Sequence, residues 1–123
     1  FAEVAAASAN DALVEASGWG AAESVRRVLE YFGASPQAAA SPELLARRPV
    51  LTPGDTALHA AARADNGEAL TALLAHRAAM DAANNDGATP LHVAALYGRD
   101  DMAKLLLEHG AAVDAAKNNG ATP

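Results

Sequence analysis

Four histidines are the residues whose type and spacing first suggest chemistry. They fall at 59, 76, 92 and 109, so His59 and His92 lie 33 residues apart, as do His76 and His109. Imidazoles in a regular pattern could ligate a metal or pass protons. An interval this long marks a repeat instead, and equivalent residues of stacked helical repeats sit about one helix spacing apart, roughly 8–10 Å. Two nitrogens sharing a zinc each lie ~2.1 Å from it, so neither pair can close one site and no metal site is expected. His76 and His109 read as helix C-terminal residues facing the dipole.

The other candidates resolve the same way. Asp100-Asp101 could suggest paired-carboxylate catalysis, but neighbours on a helix diverge by about 100°, and at a helix start the macrodipole favours them as solvated charges. Gly18-Trp19-Gly20 lacks the third glycine, the preceding strand and the lysine of a phosphate loop. It reads as a turn, in which Trp19 either packs on a proline-rich segment or stands as an exposed anchor. No serine sits in an elbow motif. With no cysteine there is no thiolate nucleophile, disulfide or Cys-ligated zinc. No cofactor and no enzymatic activity are expected.

The chain that carries these residues has 123 positions, 51% of them apolar, yet 35 are alanine and only 4% are aromatic. That composition suits thin layers of closely packed helices rather than a thick core. Fifteen acidic and nine basic side chains, spread evenly, give a net charge of −6. A concentrated basic face for nucleic acid is therefore not expected. Arg26-Arg27 and Arg47-Arg48 are the only basic doublets; they read as solvated helix faces, with a small acidic contact on a partner as the alternative. No apolar run nears the ~20 residues of a membrane span, so no direct membrane insertion is expected. The chain begins at Phe1 rather than Met, and its first 25 residues hold four acids and no base. That is the wrong sign for a retained targeting peptide. Absence of cysteine and of any Asn-x-Ser/Thr acceptor suits an intracellular site, cytoplasmic or inside an organelle.

The histidine interval extends to the whole C-terminal half. Residues 56–88 laid on 89–121 match at 16 of 33 positions, and Thr122-Pro123 falls under Thr89-Pro90. Each unit reads as two short helices and a turn. Thr89 caps the first helix, Pro90 occupies its first position, Leu91, Ala94 and Ala95 form an apolar stripe, and Gly98 ends it in a positive-φ conformation. A second helix spans Asp100 to His109, and Asn84-Asn85-Asp86-Gly87 and Asn118-Asn119-Gly120 are turn clusters.

The run Asp86-Gly-Ala-Thr-Pro-Leu-His-Val-Ala-Ala-Leu-Tyr-Gly98, followed by Lys104-Leu-Leu-Leu-Glu-His-Gly-Ala-Ala-Val-Asp114, resembles the ankyrin repeat. In 54–83 the match is looser: Ala57 replaces the usual Pro, Asp65 the first-helix Gly and Arg77 the second-helix Gly, with Gly67 placed to relocate the turn. The resemblance implies an all-α solenoid of stacked helix–turn–helix units. The expected division is a degenerate N-terminal repeat or cap at 1–33, a Pro-rich insertion at 34–53, repeats at 54–88 and 89–121, and a further repeat begun at 122–123. Val25–Ala34 aligns with Met102–Ala111 as a second helix, and its partner is expected from Asp11 to Ser17, capped by Asn10. Residues 1–9 are left as a further helix or a tail. The insertion adds about 11 residues, counting Gly33 to Thr56 against Gly110 to Thr122, and Ser41-Pro42-Glu43…Arg48 reads as a short helix within it.

The resemblance also implies that His59 and His92 bond backbone between neighbouring repeats, and that function is non-enzymatic binding of a protein partner. Carried onto this chain, the expected contacts at the hairpins are Asp55, Ala83, Asn85, Asp86, Ala88, Lys117, Asn118, Asn119 and Ala121. Those on exposed first-helix positions are Arg63, Ala64, Leu96 and Tyr97. Tyr97 is the best single contact residue, or else cover for the first-helix turn. The expected role is an adaptor or scaffold module; the alternatives are a stabilising subunit of a large assembly that docks through 1–53, or the regulatory array of a longer polypeptide. Since a terminal repeat needs a polar outer face, the chain is expected to continue past Pro123 or to be covered there by a neighbour.

Overall fold

The alternation of short apolar stripes and turn clusters folds into helix pairs. A computed structural model describes residues 2–20 and 22–111. It contains α1 (Ala2–Trp19), α2 (Ala22–Tyr31), α3 (Pro42–Arg47), α4 (Ala57–Ala64), α5 (Gly67–Ala75), α6 (Pro90–Leu96) and α7 (Asp100–Glu108). The described residues include no strand. α1, α4 and α6 pack side by side as one layer, and α2, α5 and α7 form the second. Each first-layer helix packs on the second-layer helix that follows it. This is the all-α, two-layer stack expected of the repeat. Alanines 57, 60, 61, 62, 69, 72 and 94 are buried, so the helices approach closely around Leu13, Leu58, Leu70, Leu73 and Leu106, all inaccessible to solvent.

The helix ends follow the residues at them. Thr89 Oγ1 accepts from the His92 amide at 3.3 Å while His92 Nδ1 accepts from the Thr89 amide at 3.1 Å, and Pro90 occupies the first turn. Two orphan donors are thereby satisfied reciprocally. The second-layer helices end in left-handed residues at Gly33 (φ +65°), Arg77 (+61°) and Gly110 (+95°). The first-layer turns do so at Asp65 (+60°) and Gly98 (+68°). Asp65 and Arg77 thus keep the backbone of the glycines they replace. The expectation that Gly67 relocates the turn is corrected: Asn66 caps α5 by accepting from the Ala69 amide at 3.3 Å, and Gly67 is the first helical residue.

A second correction concerns the N-terminus. One continuous helix runs from Ala2 to Trp19, so Asn10 is not a cap. Its side chain accepts from the Ser35 amide at 2.7 Å, Asp11 accepts from the Ser41 amide and hydroxyl, and Glu15 pairs with Arg47 at 2.7 Å and Arg48 at 3.4 Å. These polar residues bind the insertion down along α1 instead of starting a helix. The insertion contains the expected short helix: Ser41 Oγ accepts from the Leu44 amide at 3.2 Å and Pro42 sits in the first turn, with Leu44 wholly buried.

Candidate functional site

The histidines belong to the scaffold. His59 Nδ1 accepts from the Thr56 amide at 3.0 Å, which leaves the ring hydrogen on Nε2 to donate to the Ala88 carbonyl, just before α6, at 2.9 Å. Burial holds the imidazole below its usual pKa, against the opposing pull of the Asp55 carboxylate and the Ala88 carbonyl. His92 repeats the Thr89 half of this pattern, and its Nε2 is buried with no partner among the described residues. Ala121, 33 positions after Ala88, lies outside them. His76 Nδ1 and His109 Nδ1 sit 3.2 and 2.8 Å from the Ala72 and Leu105 carbonyls, at the C-terminal ends of α5 and α7.

At the loop leading into α4, a charged cluster lies inside the protein. Asp55 accepts from Thr52 N (2.9 Å), Arg63 Nη1 (2.8 Å) and Asn84 Nδ2 (2.9 Å). The Asn84 side-chain oxygen, Oδ1, in turn accepts from the Asp86 and Ala88 amides and shapes the turn that leads into α6. The insertion, α4 and the following hairpin are joined through one buried carboxylate.

The residues expected to meet a partner divide accordingly. Ala64, Ala83, Asn85, Asp86, Leu96 and Tyr97 are exposed. Asp55, Arg63 and Ala88 are buried, which corrects their expected exposure. Asp55 and Arg63 turn inward to neutralise each other, and Ala88 lies beneath the hairpin, where its carbonyl receives His59. Lys117, Asn118, Asn119 and Ala121 lie outside the described residues.

The exposed set adjoins a concavity of about 230 Å³ where α1 and α4 end, bordered by Trp19, Val50, Ala64, Tyr97 and Arg99. Trp19 stands against the insertion, with the Arg48 guanidinium 4.3 Å from its ring centre, yet remains 46% exposed. It thus packs on the insertion, as one of the two readings expected, while part of the ring stays open to solvent. The Arg63 guanidinium lies 5.5 Å from the centre of the Tyr97 ring, while Arg99 Nε donates to the Arg63 carbonyl at 3.0 Å.

The family model describing ankyrin repeats, in three copies, matches residues 13–117. The chain belongs to the ankyrin-repeat family. No curated protein matches it. Ankyrin repeats are generally protein–protein interaction modules and typically non-enzymatic. Among the described residues no helix is long and apolar enough to cross a membrane.

In this ankyrin stack, sequence reasoning did not assign Val50 and Arg99 to the exposed face, because each depends on where the insertion and the α6–α7 turn come to rest. The inward pair did leave a signal. Aligned at 33 residues, Asp55 stands over Ala88 and Arg63 over Leu96, so both charges are present in one unit and both absent in the next, as expected of a mutually dependent pair.

Proposed function

We propose that the chain is a non-enzymatic adaptor or scaffold module that displays a fixed row of hairpin and first-layer residues to a protein partner. The observation that carries this reading is the exposure of Asn85, Asp86, Leu96 and Tyr97 on a backbone braced from beneath by His59, Asn84 and Asp55. A braced surface loses little conformational freedom on binding, and Tyr97 supplies a large amphipathic ring at its centre. Its place of action on this reading is intracellular.

A second reading, a stabilising subunit of a large assembly, is favoured by Tyr31 and Phe32, which project from the end of α2 at 75% and 69% exposure. Capture of the protein from native extract, followed by gel filtration, separates the two. The adaptor reading expects partners that are lost on Tyr97→Ala and Asp86→Ala. Stoichiometric co-migration with one large assembly, indifferent to those changes and lost on Phe32→Ser, would refute it in favour of the second.

A further inference from the structure

Trp19, Val50 and Tyr97 remain close to half exposed, at 46%, 49% and 43%, and all three border the same concavity. Isolated exposed apolar residues need no explanation, but three around one hollow form a patch. At about 230 Å³ the hollow is smaller than the roughly 300–1,000 Å³ of a small-molecule site. It matches the scale of a single side chain. A guanidinium lies over each ring, that of Arg48 over Trp19 at 4.3 Å and that of Arg63 over Tyr97 at 5.5 Å.

The charge around the hollow runs against that of the chain. The protein carries a net charge of −6, yet the charged residues bordering the hollow are Arg63 and Arg99, with no acid. Arg63 is neutralised by Asp55, and Arg48 shares the Glu15 carboxylate with Arg47. Arg99 has no ion-pair partner among the described residues. Its Nε is committed to the Arg63 carbonyl, which orients the guanidinium and leaves both terminal nitrogens free to donate. A held, unpaired guanidinium beside an apolar hollow is suited to bidentate recognition of a carboxylate.

Resting on the protein-binding reading above, we infer that the hollow bounded by Trp19, Val50 and Tyr97 receives one large apolar side chain of an acidic segment of a partner protein, and that Arg99 receives the carboxylate beside it.

Trp19 is the single tryptophan of the chain, so its emission reports occupancy directly. The probe is a capped heptapeptide with a central Phe flanked on both sides by Asp, titrated into the full chain. A saturable change in Trp19 emission is expected. Replacing the flanking Asp residues by Lys, or the Phe by Ala, weakens it about tenfold or more, the scale of one charge-assisted contact. Arg99→Gln weakens it to a similar degree and Arg99→Lys less, with thermal melts of both variants verifying the fold. Binding indifferent to the flanking charge and to Arg99→Gln, or no saturable change, would overturn the assignment. If partners in extract are nevertheless lost on Asp86→Ala, the module reading survives and only the hollow's role falls. If they are not, both fall.

Discussion

Replacing Asp55 by Ala tests whether the inward carboxylate is structural. The change deletes acceptors for Thr52 N and Asn84 Nδ2, at about 1 kcal/mol net each, and leaves Arg63, whose side chain is 9% exposed, as a buried cation without its counter-charge. Removing one partner of a buried ion pair costs about 3–5 kcal/mol in all, the hydrogen bonds of the lost carboxylate included, so a loss near 4 kcal/mol is expected. With a urea m-value of about 2 kcal/mol/M, the unfolding midpoint of the full chain, followed by circular dichroism, falls by roughly 2 M. The double variant Asp55→Ala/Arg63→Leu carries the Ala88/Leu96 combination of the following unit. It removes the orphaned cation along with its partner, so it should be more stable than Asp55→Ala alone by about 2 kcal/mol; any loss caused by Arg63→Leu alone adds to the coupling, which then lies well beyond the ~0.5 kcal/mol within which independent sites add. Should Asp55→Ala cost under about 1 kcal/mol, or should the two single losses simply sum, the claim that this pair unites insertion, α4 and hairpin is wrong.

Three further outcomes follow from the same geometry. Because burial lowers the folded-state pKa of His59, the unfolded chain takes up the proton first as pH falls below about 6.5. Stability is therefore full above that pH and declines below it, at up to about 1.4 kcal/mol per unit, until the folded-state pKa is passed; urea midpoints across pH 5–8 should show this slope and His59→Gln should flatten it. Arg77→Gly and Asp65→Gly relieve left-handed residues at φ +61° and +60°, and each should raise stability by about 0.5–1 kcal/mol after the added freedom of the unfolded chain is subtracted. Arg77 should gain more, since Asp tolerates that conformation better; a fall in melting temperature for either would contradict the assignment. Gly54→Ala should cost more than about 2 kcal/mol, because an added Cβ meets the Asn85 amide nitrogen at 2.8 Å in addition to the φ of +88°. Gly33→Ala, with φ +65° but open space around it, should cost only about 1 kcal/mol in the same urea assay.

What the sequence made legible is what depends on local chemistry repeated at a fixed interval. Thr89-Pro90 announces a helix start because a cap and a missing N–H have the same effect in every unit. The Gly98 and Gly110 turns announce themselves through the only residue free of a Cβ. The readings that failed depended on contacts distant in the chain. Asn10 and Asp11 have the composition of a helix start, yet they face an insertion 25 and 30 residues away, and once their oxygens are occupied there the helix continues through them. Asp65 lacks the glycine signal but keeps the glycine conformation, since stacking on either side over-determines the turn. Asp55 reads as an exposed hairpin contact, yet its position is buried in both units, as Ala88 shows, and here the carboxylate is held by Thr52, Asn84 and Arg63.

The two best-matched units differ most where they meet the candidate site. Residues 63 to 69 share no identity with 96 to 102, although positions 58, 59, 61 and 62 before them and 73, 74 and 76 after them match their counterparts. The end of the first-layer helix, the turn and the start of the second are therefore where composition is free to vary while the backbone holds, as a comparison of Asp65 with Gly98 shows. Trp19 and the insertion rest against that same stretch, through Arg48 on the ring and Val50 and Leu51 at the rim. A segment serving only as a spacer would need no apolar side chain left half exposed there. If the hollow receives a partner's side chain as inferred above, then Val50, which borders it with Trp19 and Tyr97, brings the extra residues between Gly33 and Thr56 into the contact.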